Sequence, residues 1–144
     1  MPITKGFRAL VDEAGFLISS VAGAKTLASG QRALILDAGV NLLYTSTWYD
    51  LKVSPTQYYS GSWEDVTLYG PLCMNIDVVR DKCLLPSMRR GEQLVIHPVG
   101  AYNVTQSMQF IEMKPAVVMV SPKGEVKLIK RRETMEDLVA LEAN

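Results

Sequence analysis

The sequence predicts a mostly β domain, a closed or nearly closed barrel finished by one short C-terminal helix. Three observations predict it. About eight short apolar runs are rich in strand-forming residues. Gly, Pro and Asp turn signals separate them, and only the last stretch has helical spacing.

Taken in order, Ala9-Leu10-Val11 and Gly15 to Val21 read as strands broken by Asp12-Glu13-Ala14. Arg32 to Asp37 is a third, stopped by Ala38-Gly39, and Asn41 to Tyr49 mixes Leu, Tyr, Thr and Trp, mostly strand formers. Residues 52 to 63 read as irregular chain with strand pieces. Glu64 to Tyr69 is a strand ended by Gly70-Pro71, and Asp77 to Asp81 reads as turn. Gln93 to Val99 is a strand, and Ala116–Ser121 and Glu125–Lys130 form a hairpin across Pro122-Lys123-Gly124. In the tail, Thr134 followed by Asp137 resembles a capping box, with Met135, Leu138, Val139 and Leu141 as a short apolar face.

Composition narrows the function classes. The chain has 144 residues, the size of one ordinary domain, and shows no repeat or linker. Fifteen basic residues balance fifteen acidic ones, so no electrostatic footprint for nucleic acid or an anionic membrane exists. No apolar run approaches the roughly 18–20 residues of a membrane span, and no apolar stretch follows the charges of the first residues as in a signal peptide. A cytoplasmic globular domain is the expectation. Two cysteines, Cys73 and Cys83, and a single histidine, His97, make no metal-ligand spacing, so no metal is expected. His97 ends an apolar run and reads as a strand-end residue without catalytic duty.

Four ordered segments are more specific: Arg8 to Gly15, Gly70 to Asp77, Gly100-Ala101-Tyr102 and Arg131 to Asp137. Leu36 to Asn41 and the Phe110 to Val118 stretch support them. In this order and spacing they resemble the C-terminal barrel of the fold-type III pyridoxal-phosphate decarboxylases, the family of the diaminopimelate and ornithine decarboxylases. The resemblance implies a single Greek-key-like barrel of the alanine racemase/decarboxylase C-terminal type over residues 8–144. Residues 1–7 are then a non-family or residual N-terminal segment.

The resemblance also implies a partner, a (β/α)8 domain carrying the cofactor-binding lysine, and a site shared across a dimer. Pyridoxal phosphate belongs to that complete enzyme, and none is expected on this chain alone. Cys73 matches the cysteine read as the catalytic proton donor, a role for which a thiol pKa can be tuned. The ordinary alternative is a buried structural cysteine. Tyr102 and Arg8 match cofactor contacts, though Lys5 stands where the family places a carboxylate. Asp77 matches an aspartate near the substrate, with a solvated turn residue as the competing reading. Tyr49 matches a tyrosine near the substrate tail.

Two departures bear on substrate. Met74 replaces an acidic residue, and Thr45-Ser46 replaces an Arg-Pro pair, so both charged grips on a distal group are lost. An unpaired buried charge is unfavourable, which disfavours diaminopimelate and favours a larger or less charged amino-acid derivative. Homo-oligomerisation is expected, with Tyr58, Tyr59, Trp63 and Met74 as candidate surface. The reading from another class is a free-standing, non-catalytic β-barrel used for binding or oligomerisation.

Overall fold

The computed structural model describes residues 6–142; Lys5 lies outside them. Two compact units divide the chain, Met1–Met108 and Gln109–Asn144. The first holds α1 (Gly6–Val11) and strands β1 (Leu17–Thr26), β2 (Arg32–Leu36), β3 (Lys52–Pro55), β4 (Trp63–Tyr69), β5 (Val78–Pro86) and β6 (Gln93–His97). The second holds β7 (Val117–Val120), β8 (Val126–Lys130) and α2 (Met135–Val139).

The six strands of the first unit form one sheet in the order β3-β6-β1-β2-β4-β5. β1 changes partner along its length. Leu17–Ser20 pair with β6 and Val21–Thr26 with β2, with a bulge between Val21 and Gly23. A bulge bends a strand and increases its twist, which curls the sheet towards closure. β2 and β4 are parallel, and the other neighbours are antiparallel. Arg80 ties edge strand β5 to the residues just before edge strand β3, binding the Asp50 carboxylate at 3.0 Å and donating to the Leu51 carbonyl. The barrel is nearly closed, as its mostly β sequence predicts.

Strand alternation fills the interior. On β6, Leu94 and Ile96 are buried while Val95 and His97 are half-covered. Leu34, Leu36, Leu68 and Leu85 are fully buried beside Val21, Leu43, Leu51 and Met88. Each buried Leu contributes about 1.5–3 kcal/mol relative to exposure. His97 ends β6 with its ring 5.4 Å from that of Phe16.

Three elements differ from their sequence reading. Ala9-Leu10-Val11 is helical, because Arg8 and Asp12 pair at the i,i+4 spacing of a helix and no strand lies alongside. Asn41 to Tyr49 is a turn followed by a 3-10 segment, Tyr44–Thr47. There the Asn41 side chain accepts the Gly39 N–H and the Thr47 hydroxyl donates to the Tyr44 carbonyl, local bonds that compete with a sheet ladder. Residues 78 to 81 open β5, since the charges of Arg80, Asp81 and Lys82 disguise buried Val79, Cys83 and Leu85.

In the second unit β7 and β8 pair as the expected hairpin, and the Thr134–Asp137 capping box starts α2. Val118, Met119, Val120, Val126, Leu128 and Ile129 are all exposed there.

Candidate functional site

Asp77 organises the loop that carries Cys73. It follows β4, and the Asp77 side chain is 2% exposed. Oδ1 accepts the Val40 N–H at 2.8 Å and Oδ2 the Leu72 N–H at 2.7 Å. A Cβ on either Gly39 or Gly70 would collide with this carboxylate, so glycine is required on both sides. The solvated-turn alternative for Asp77 is therefore corrected: the carboxylate is buried because it ties two loops together. Held this way, Cys73 is exposed, whereas Cys83 is buried on β5 and its thiol pKa is pushed up by burial. Met74 is half-buried and lines a cleft of about 420 Å³ together with Lys25, Leu27, Tyr69 and Pro71.

A second group forms where α1 meets the Gly100-Ala101-Tyr102 turn. Arg8 Nε donates to Asp12 Oδ2 at 2.6 Å, which raises the Arg8 pKa. The Arg8 guanidinium lies 3.9 Å from the centroid of the Tyr49 ring, a cation–π contact. Tyr102 is 46% exposed and has φ +68°, left-handed backbone that opposes a side chain by about 1–2 kcal/mol. Its ring packs edge-on against Trp48 at 5.9 Å, and Trp48 also meets Tyr44 and Tyr49. The aromatic run from Tyr44 to Tyr49 is the sequence signal for the place of Trp48 in this group.

The remaining candidates sort by what already occupies them. Thr45 is fully buried, with its N–H and hydroxyl both donating to Asn103 Oδ1. The position is thus filled by an internal bond. Tyr49 is half-buried, and its hydroxyl is buried without a partner among the described residues. A buried unsatisfied hydroxyl is unfavourable. Among the described residues, no hydrogen bond or aromatic contact links Cys73 to Arg8 or Tyr102. No three His, Cys, Asp or Glu side chains among them converge on a metal position, and no helix is long and apolar enough to cross a membrane.

This geometry has known relatives. Residues 9–100 match the family model described as pyridoxal-dependent decarboxylase, C-terminal sheet domain. The chain belongs to that family. Diaminopimelate decarboxylase of Helicobacter pylori is 31% identical over 140 residues, covering 94% of this chain and 34% of that protein. Its Escherichia coli counterpart is 29% identical, with 94% and 35% covered. The crystal structure of diaminopimelate decarboxylase from M. jannaschi superposes with TM-score 0.86 at 29% identity, covering 95% of this chain and 32% of that one. The chain spans about a third of the length of the curated relatives it matches.

Among the described residues, two side chains have chemistry suited to the edge of the family's cofactor. Arg8 offers an outward guanidinium fork suited to phosphate, and Tyr102 an exposed phenol. None of the described lysines is buried in the kind of apolar surroundings that activate an attaching amine.

Proposed function

We propose that this chain serves as the cofactor- and substrate-contacting sheet domain of an amino-acid decarboxylase and acts only alongside a (β/α)8 partner. Pyridoxal phosphate, when bound, supplies the electron sink that makes loss of carbon dioxide feasible. Arg8 holds the phosphate edge of that group, and Tyr102 packs against it. Cys73 delivers a proton to the carbon that carbon dioxide leaves. The observation that carries the reading is the contrast between the two thiols: Cys73 stands exposed on a loop pinned by a buried carboxylate, while Cys83 is buried.

Met74 makes the surface that faces the substrate's distal end apolar rather than charged, which favours a larger or less charged amino acid over diaminopimelate. Tyr49 supports that end of the site from beneath, with its ring under the Arg8 guanidinium. Asp77 and Thr45 act from behind it, by fixing the loops. The site is completed across two copies, one giving Cys73 and the other Arg8 and Tyr102.

The test mixes the chain with a separately produced (β/α)8 domain of a diaminopimelate decarboxylase, adds pyridoxal phosphate, and measures carbon dioxide release from a panel of amino acids. Release is expected only from the pair. Cys73→Ala should slow turnover by about 10²–10⁴-fold, the usual contribution of a positioned acid, or divert it to abortive transamination. Full turnover by the chain alone, or unchanged product with Cys73→Ala, overturns the proposal.

A further inference from the structure

We infer that Asp12 is a positioning residue that presets both cofactor-facing groups, aiming the Arg8 guanidinium and holding Tyr102 in its left-handed backbone. The inference rests on the reading above that Arg8 and Tyr102 face the cofactor. Asp12 itself is 5% exposed and reaches no ligand-facing surface.

Its two oxygens divide the work. Oδ2 takes the Arg8 Nε–H at 2.6 Å, a short charge-assisted bond. With Nε engaged and the guanidinium face laid over Tyr49, the two terminal nitrogens of Arg8 have no protein acceptor among the described residues. They form the fork that suits an anion with paired oxygens. Because Arg8 and Asp12 together are neutral, the fork's direction and not its net charge selects the ligand.

Oδ1 accepts the Ala101 N–H at 3.3 Å, and the Asp12 carbonyl accepts the Gly100 N–H at 3.0 Å. Both amides lie immediately before Tyr102. On its other side Asn103, 4% exposed, donates its N–H to the Ala101 carbonyl and its side-chain amide to the Val99 carbonyl. Thr45 closes that side by donating to Asn103. An unfavourable backbone persists only where neighbours over-determine it, and Tyr102 is bracketed in that way.

Two variants separate the roles. In Asp12→Asn the single acceptor oxygen keeps the fixed Ala101 amide, and the flexible, half-exposed Arg8 swings away. Asp12→Ala loses both. Nitrogen-15 NMR on the 144-residue chain should show a wild-type Arg8 Nε–H signal protected from exchange. That signal should move to the position of an unpaired arginine in both variants. The Trp48–Tyr102 ring contact should persist in Asp12→Asn and weaken in Asp12→Ala. Paired with a (β/α)8 domain, Asp12→Asn should weaken pyridoxal phosphate binding by about tenfold, the scale of removing an outer-shell support, with kcat at saturating cofactor retained.

A freely exchanging Arg8 signal in the wild type overturns the inference, and this measurement needs no variant to fold. Unchanged Arg8 and Trp48–Tyr102 signals in Asp12→Ala overturn it too. If both signals change while cofactor affinity does not, the positioning role stands and the cofactor-facing reading of Arg8 and Tyr102 falls.

Discussion

Two loops of the first unit are each tied down by a buried aspartate, yet the ties differ in kind. Asp77 grips only main chain, the amides of Val40 and Leu72, and Gly39 and Gly70 pack directly against it. Asp12 grips one main-chain amide and one half-exposed side chain, Arg8. The first arrangement fixes where a loop runs, so Cys73 is placed by packing and hydrogen bonds together. The second fixes where a cation points and leaves it able to adjust. The roles proposed for Cys73 and Arg8 place different demands on these ties, since a proton donor must meet one atom and a phosphate grip can tolerate movement.

The largest expected effect tests the rigid tie. Asp77→Ala strands two buried amides, each worth about 1–3 kcal/mol when left unsatisfied, so urea melts should show a loss of about 2–6 kcal/mol. Gly39→Ala should also destabilise, because its methyl meets the carboxylate. In the double variant the carboxylate is gone and the methyl has room. The two losses should then fall short of additivity by about 1 kcal/mol or more. Strict additivity would mean that Asp77 and Gly39 are not one packed unit, and the contrast with Asp12 would break.

A smaller effect reads the same loop through its thiol. Cys83 can react only after local opening, and burial raises its pKa, so less thiolate is present at any given pH. A thiol reagent followed by mass analysis should therefore modify Cys73 first. A margin on the order of tenfold to a hundredfold corresponds to an opening of about 1.4–2.8 kcal/mol. Raising the pH should accelerate labelling of Cys83, whose thiol is held protonated by burial. Labelling of Cys73 only after denaturation contradicts the exposed, presented loop.

Much of this was legible in the sequence, for identifiable reasons. β2, β4, β6 and the hairpin are apolar runs bounded by Gly, Pro or charge, and each stands where that pattern places it. The capping box of α2 is local chemistry and was equally readable. β5 was hidden because Arg80, Asp81 and Lys82 interrupt its alternation. The segment from Asn41 to Tyr49 has strand composition, but bonds to Asn103, 58 residues away from Thr45, decide its shape. The same applies to the two aspartates. Nothing near Asp12 in sequence announces Ala101, and nothing near Asp77 announces Val40.

The smallest effect comes from a carboxylate that repeats the Asp12 chemistry in solvent. Asp137 pairs with Arg131 through both oxygens and accepts the Thr134 N–H at 2.9 Å. Arg131 first, and the Thr134 amide second, hold its carboxyl well below the usual carboxylate range. A lowered folded-state pKa contributes stability that is fully present above the unfolded value, near 4, and is lost as pH falls towards the folded one. The Thr134 amide signal should therefore stay unchanged from neutral pH through the range where ordinary carboxylates titrate, and shift only in stronger acid. Salt supplies the comparison. Solvent-exposed pairs are screened within about 3 Å at 1 M, while buried pairs are screened much less. High salt should raise the pH at which the Thr134 signal shifts, yet leave the Arg8 Nε–H signal in place. If salt moves both alike, burial is not what distinguishes Asp12 from Asp137, and the tie on Arg8 is no firmer than a surface pair.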